Sequence, residues 1–254
     1  MSKIIAKTFS EINFKRFKKL IKNNGYVVIR GLFKEKEIRE HLEILRKNFK
    51  AKKDNPSNSG SHREIMKNYQ KICVGSSSKI KLREKDKIYR FHRIIYNPIW
   101  SPDIYYLRTI FKRFCGLRNQ FLNYSYDYAT KKVEGKIWSA TRILQYPKGG
   151  GHMSCHKDFV VNKVNKKNKI KFYQFILNMS QLGKDFKKGG AYIKKNNQII
   201  YLEKFLKSGD ILVYNGTSNH GVYEIDPDHK IEMSKLNGRV ILMNSFYQTK
   251  IKKN

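Results

Sequence analysis

Acidic residues are scarce in this chain of 254 residues: 20 Asp+Glu stand against 54 Lys+Arg, for a formal net charge of +34. An imbalance of that size raises the question of a polyanionic partner, and such a field draws anionic ligands in whatever its origin. A genome whose base composition favours Lys, Asn and Ile codons would produce the same excess. The lysines are scattered along the whole chain rather than gathered in one tail or helix, and no stacking motif of the RNA-binding kind appears. No specific nucleic-acid binding is therefore expected. Cysteine is also rare. Cys73, Cys115 and Cys155 are odd in number and far apart, with no C-x-x-C, which excludes a zinc knuckle and a disulfide framework. That usage fits a reducing compartment, so a cytoplasmic location is expected. No run approaches the ~18 apolar residues of a membrane span. The opening MSKIIAKTFSEINF lacks the long apolar stretch of a secretory signal. There is no internal repeat and no clear linker, so the expectation is one domain over 1–254. Oligomeric state is left open.

Hydrophobic residues make up 40% and aromatics 13% of the chain, enough for a substantial core. Phe14, Phe17, Leu20 and Ile21 recur at helical spacing within 8–24 and stop at Asn23-Asn24-Gly25, a natural helix end. Tyr26-Val27-Val28-Ile29 reads as a short buried strand. Ile38, Leu42, Leu45 and Phe49 form one apolar stripe on a charged helix. Residues 50–61 and Gly75 to Ser78 read as loops by composition, and the segments 50–62 and 75–79 could close over a site as a lid. Tyr89 to Trp100 is aromatic-rich and a candidate pocket wall. Ser101-Pro102-Asp103 predicts a helix start, with Ile104, Leu107, Phe111 and Phe114 on one face and Gly116 ending the pattern. From Ile137 onward, short β-rich segments alternate with Gly and Asn turns at 137–146, 170–178, 190–193, 198–202, 210–214, 220–225 and 239–247. That pattern predicts a sandwich or jelly roll. The expected class is α+β with a mainly β core: residues 1–136 supply helical support and lid segments, and 137–250 the jelly-roll core.

The stretch YPKGGGHMSCHKDFVV, Tyr146 to Val161, carries the densest chemistry. If it is a strand, His156 and Asp158 share a face. Two such ligands plus one more imidazole compose the facial triad of non-haem Fe(II) sites. The turn Asn215-Gly216-Thr217-Ser218-Asn219 delivers His220 to the start of a new strand, well placed to be that third ligand. Gly149-Gly150-Gly151 serve either the turn alone or a close approach of backbone to ligand. Arg239 opens the apolar strand Val240-Ile241-Leu242-Met243-Asn244-Ser245-Phe246, and a guanidinium there needs an anionic or polar partner. Its fork grips a carboxylate with two parallel hydrogen bonds. Ser245 has the same parity and is a second candidate for that duty.

Four stretches together resemble the Fe(II)/2-oxoglutarate-dependent oxygenases, and within them the phytanoyl-CoA dioxygenase-like group: IKNNGYVVIRGLF, LQYPKGGGHMSCHKD, FILNMSQLGKDFKKGGAYI and LKSGDILVYNGTSNHGV. The resemblance covers most of the chain outside about residues 50–100. It implies a double-stranded β-helix, a distorted jelly roll, with an N-terminal helical layer. It implies Fe(II) held by His156, Asp158 and His220, with 2-oxoglutarate anchored by Arg239 and contacted by Tyr146. The implied reaction uses O2 to couple decarboxylation of 2-oxoglutarate, to succinate and CO2, with hydroxylation of a second substrate. Arg239 lies farther beyond the distal histidine than is usual there, and Lys230, nearer to His220, is a rival in an exposed-looking acidic loop. Asp158 counts against a halogenase. His152 and His229 are read as bystanders. A small or medium-sized anionic substrate is expected. The alternatives are a nucleic-acid or protein side-chain substrate, and a jelly roll that only binds.

Overall fold

The computed structural model describes residues 3–52, 69–76, 87–131 and 135–248. Among the described residues are twelve strands and four α-helices. They are β1 (Lys3–Ile5), α1 (Phe14–Asn24), β2 (Tyr26–Arg30), α2 (Glu35–Asn48), β3 (Tyr69–Ser76), β4 (Tyr89–Tyr96), α3 (Arg108–Phe121), β5 (Ile137–Tyr146), β6 (Gly151–His156), α4 (Phe159–Lys167), β7 (Tyr173–Asn178), β8 (Gly190–Lys195), β9 (Gln198–Tyr201), β10 (Ile211–Asn215), β11 (Asn219–Ile225) and β12 (Arg239–Gln248). The pairing order is β1-β2-β10-β7-β12-β5-β4-β6-β11-β8-β9, with β3 beside β4. β4 turns the corner of this sheet. Its Arg93–Tyr96 end pairs with β5, while Arg90 and Phe91 pair with β6. The strands thus wrap into the mainly β jelly roll expected of the sequence.

Strand alternation divides the core in two. On β12, Val240 and Leu242 face outward, where Phe175, Leu177, Ile211 and Val213 meet the apolar stripes of α1, α2 and α3. Ile241, Met243 and Tyr247 face inward with Trp138, Leu144, Tyr146, Ile176, Leu212 and Tyr214. The helical layer packs against the outer set. Phe17 of α1 and Ile38, Leu42 and Leu45 of α2 are buried there. The inner set lines the roll, and it is where polar side chains have a defined task.

α1 ends as its sequence implies, at Gly25 with φ +82 and its N–H bonded to Ile21 O at 2.8 Å. α3 does not start at Ser101. It begins at Arg108, because Tyr106 takes φ +57 and interrupts the path. The real cap is the Asp103 carboxylate, which accepts from Leu107 N at 2.9 Å and Arg108 N at 3.1 Å. Nor does Gly116 end the helix, which runs on to Phe121. Its bare Cα makes room for the Tyr126 ring, which a Cβ would meet at 2.1 Å. Asp103→Ala should cost about 0.5–2 kcal/mol of stability, the usual loss for a helix cap, read from urea midpoints; no loss would mean that another group caps α3.

Tyr69–Ser76 and Tyr89–Tyr96, not assigned by periodicity, form a ladder of eight paired residues. Of the two candidate lid loops, 50–62 and 75–79, Gly75 and Ser76 close β3, while 53–68 and 77–86 lie outside the described residues. Among the described residues no helix is long and apolar enough to cross a membrane. Cys73 and Cys115 are buried and Cys155 exposed, all three as free thiols.

Candidate active site

His156 is the last residue of β6, and His220 is its cross-strand partner on β11. The two rings lie 4.3 Å apart between centroids. Each ring is held by a backbone carbonyl two residues upstream: His156 Nδ1 to Ser154 O at 2.8 Å, and His220 Nδ1 to Ser218 O at 2.9 Å. A carbonyl only accepts, so both Nδ1 atoms carry a proton, and Nε2 is the nitrogen whose lone pair a neutral ring would offer to a metal. His156 Nε2 is buried with no hydrogen-bond partner.

Asp158 completes the group by a route that strand parity does not describe. β6 has already ended, and Asp158 is the cap residue before α4, a helix absent from the sequence reading. An aspartate there ordinarily takes a helix amide on its side chain. This one makes no such bond. Its carboxylate turns to the imidazoles instead, with Oδ1 3.7 Å from His156 Nε2 and Oδ2 3.5 Å from His220 Nε2. Both spans are too long for good hydrogen bonds. Oδ2 does accept one, from the Gln174 side-chain amide on β7. Burial pushes the Asp158 carboxyl up, but the His220 and His156 rings and the Gln174 amide outweigh it and hold the carboxyl well below the usual range. Burial pushes His220 down, the Asp158 charge opposing, so its ring favours the neutral form that a metal needs. One ligand atom from each of the three residues lies within 4.8 Å of the others. Two neutral imidazole nitrogens and one carboxylate oxygen are a donor set suited to Fe(II).

Arg239 opens β12 opposite Tyr146, on the inner face, with 1% of its side chain exposed. It is already partnered. Nε donates to Glu203 Oε2 at 2.7 Å, and one terminal nitrogen reaches Asn178 Oδ1 at 3.5 Å. Glu203 is fully enclosed, takes the Ala191 amide on the same oxygen, and keeps Oε1 without a partner. The Tyr146 ring lies 5.7 Å from the Arg239 guanidinium, and its hydroxyl 3.9 Å from Met153 Sδ. Burial, with Arg239 opposing and Asp158 adding, pushes its phenol up to about 12. The buried Tyr214 ring lies 5.0 Å from that of His220.

Ser245 is not brought to Arg239. It shares the face, but six residues at ~3.3 Å each put it roughly 20 Å along the strand. There it accepts from Arg142 at 2.7 Å, with Tyr247 as a second acceptor at 2.6 Å. Lys230 is exposed in the loop between β11 and β12. His229 is exposed too, and His152 turns its Nδ1 to Gly150 O. The three glycines are used by the turn: Gly149 and Gly150 donate to Asp226 O and Ile225 O, and a Cβ on Gly149 would meet His229 O at 2.7 Å.

Sequence reasoning missed Gln174, Glu203 and His92. Each meets its neighbours across elements, and none sits in a motif. His92 lies beside Tyr146, ring centroids 5.4 Å apart, with Nδ1 unpartnered. Burial first, then the Arg90 charge, push it down to about 3. A histidine in the unfolded chain titrates near ~6.5. Below that pH the unfolded state takes a proton that the folded state refuses. Stability therefore falls as pH drops from roughly 6.5 toward 3, by up to about 1.4 kcal/mol per pH unit from this group. His92→Leu should remove that slope, so its urea midpoint should gain on the wild type between pH 7 and pH 5. An unchanged difference at the two pH values would contradict the assignment.

No protein-family model matches the chain. No curated protein matches it either. Solved structures do. An oxidoreductase of the 2OG-Fe(II) oxygenase family from Burkholderia pseudomallei aligns over 100% of both chains at 10% identity, with a TM-score of 0.50. A prolyl hydroxylase from Trichoplax adhaerens, in complex with a hypoxia inducible factor oxygen degradation domain peptide fragment, aligns over 92% of this chain and 89% of its own at 9% identity and TM-score 0.53. A Pseudomonas putida prolyl-4-hydroxylase aligns over 92% and 98% at 14% identity and TM-score 0.52. At such identities the likeness is one of architecture, and this chain is built on the double-stranded β-helix fold of solved 2OG-Fe(II) oxygenases.

Proposed function

We propose that the protein is an Fe(II)- and 2-oxoglutarate-dependent dioxygenase that hydroxylates a small or medium-sized anionic substrate. The observation that carries the reading is the convergence of His156 Nε2, His220 Nε2 and the Asp158 carboxylate, with both Nδ1 atoms committed elsewhere. In the proposal these three residues hold the metal. Arg239, kept rigid by Glu203, receives the distal carboxylate of 2-oxoglutarate, and Tyr146 and Tyr214 wall off water between anchor and metal. The chemistry such a centre supplies is the O2-dependent coupling of 2-oxoglutarate decarboxylation to hydroxylation. Lys230 is a poorer anchor because an exposed ammonium is hydrated and mobile, whereas a buried guanidinium is pre-oriented. The finer likeness to the phytanoyl-CoA dioxygenase-like group belongs to the proposal and rests on the four sequence stretches.

Two observations keep other substrates in the test. One fold relative was solved with a peptide bound. And Lys18, Lys22, Lys171, Lys194 and Lys195 line a groove of about 500 Å³ beside the turn that carries His220. The test is succinate formation from 2-oxoglutarate by the Fe(II)-loaded protein, with anionic metabolites, proline-containing peptides and oligonucleotides offered separately at one near-physiological ionic strength. Salt is fixed because a protein of this charge binds any polyanion weakly without turning it over. Stimulation by a metabolite supports the substrate class. Turnover on peptide or oligonucleotide alone overturns it, and no succinate under any condition overturns the dioxygenase reading.

A further inference from the structure

Gln174 carries an inference that rests on the metal-binding reading and goes beyond it. It lies on the inner face of β7, 2% exposed, with Tyr214 as its cross-strand neighbour. Its amide nitrogen donates to Asp158 Oδ2, and its carbonyl Oε1 is buried with no partner. The amide orientation follows from chemistry, since a carbonyl turned toward a carboxylate would face another acceptor. Asp158, although at the start of α4, gives no oxygen to a helix amide. Oδ2 therefore takes the Gln174 amide while lying 3.5 Å from His220 Nε2, and Oδ1 lies 3.7 Å from His156 Nε2.

We propose that Gln174 is a positioning residue that makes Asp158 a one-oxygen ligand: its amide occupies Oδ2, so that only Oδ1 is offered to the metal. The consequence is chemical. A carboxylate that binds through both oxygens consumes an extra coordination position, and a 2-oxoglutarate site needs its remaining positions for cosubstrate and O2. A hydrogen bond to the second oxygen also stops the carboxylate from rotating about its own axis, which pre-orients the free oxygen before the metal arrives. Groups that orient metal ligands in this way are typically worth ~10–100-fold in metal affinity or activity.

The test uses Co(II) as the probe, in the full-length protein without O2 or substrate. Affinity is read by titration, and coordination by the visible absorption of the bound ion. The wild type should bind one Co(II). Gln174→Met, close in shape but without the amide, should bind it about 10–100-fold more weakly and with an altered spectrum. Gln174→Asn, whose amide is held one methylene further back, should fall between them. Asn244→Leu is the control. It too removes a buried amide, one that donates to Phe114 O and Cys115 Sγ and has an unpartnered carbonyl, but on the outer face of the sheet. It should leave affinity and spectrum unchanged. A Gln174→Met protein that matches the wild type in both readouts overturns the inference while leaving the metal site standing. A wild type that binds no Co(II), or that binds it equally well after His156→Ala, instead overturns the reading beneath it. Should Gln174→Met fail to fold, the metal-loaded wild-type crystal structure decides: Asp158 bound through one oxygen with Gln174 on the other supports the inference, and two-oxygen binding refutes it.

Discussion

His156→Ala and His220→Ala should each give a folded protein that holds no Fe(II) and forms no succinate. The loss should be complete rather than graded, because each histidine supplies one of only three protein ligands and the remaining two cannot hold a labile divalent ion. Folding should survive because neither ring is bonded to anything but its own local carbonyl. Removing either also leaves Asp158 bonded to Gln174. The check is metal content after dialysis, together with succinate formation and melting temperature. Full turnover in either variant, with adventitious metal excluded, would show that the triad is not the reactive centre. A collapse of melting temperature would show that the rings are structural.

Arg239→Met should have a second, separable pair of effects. Glu203 would be left as a buried carboxylate without its cation, the circumstance in which removing one partner costs about 3–5 kcal/mol. The same substitution should raise the 2-oxoglutarate requirement roughly ten- to a hundredfold, from a lost charge-assisted hydrogen bond worth ~1.5–3 kcal/mol. Pairing it with Glu203→Gln removes the stranded charge, so the double variant should recover much of the stability and none of the cosubstrate affinity. Lys230→Ala should change neither. If the double variant regained cosubstrate affinity, the raised requirement would be a by-product of a damaged fold. If Lys230→Ala carried the loss instead, the anchor would be misassigned.

What the sequence disclosed follows from how far each contact reaches along the chain. α1, α2 and the late strands were legible because their apolar spacing and turn residues are local. His156, Asp158 and His220 were legible because two are near neighbours and the third follows a tight turn. The reason offered for the first two was incomplete, since a strand end and a helix cap bring them together, not alternation along one strand. Gln174 and Glu203 were not legible. Gln174 meets Asp158 across the roll, and Glu203 reaches Arg239 from a short 3-10 turn at Glu203–Phe205, contacts that no spacing rule anticipates. Ser245 was misplaced by the converse error: parity fixes which face a residue takes but not how far along the strand it sits. β3 and β4 escaped because their buried polar residues, among them Gln70, Lys71, His92 and Arg93, break the apolar run that marks a core strand.

The central claim is that one pocket holds a metal on His156, Asp158 and His220 and 2-oxoglutarate on Arg239. Anaerobic equilibrium dialysis against Fe(II) and labelled 2-oxoglutarate tests it most directly. One iron and one 2-oxoglutarate per chain are expected in the wild type, iron lost in His156→Ala, and iron kept but 2-oxoglutarate lost in the Arg239→Met/Glu203→Gln double variant. A wild type that retains neither, or variants that retain both, would contradict the account.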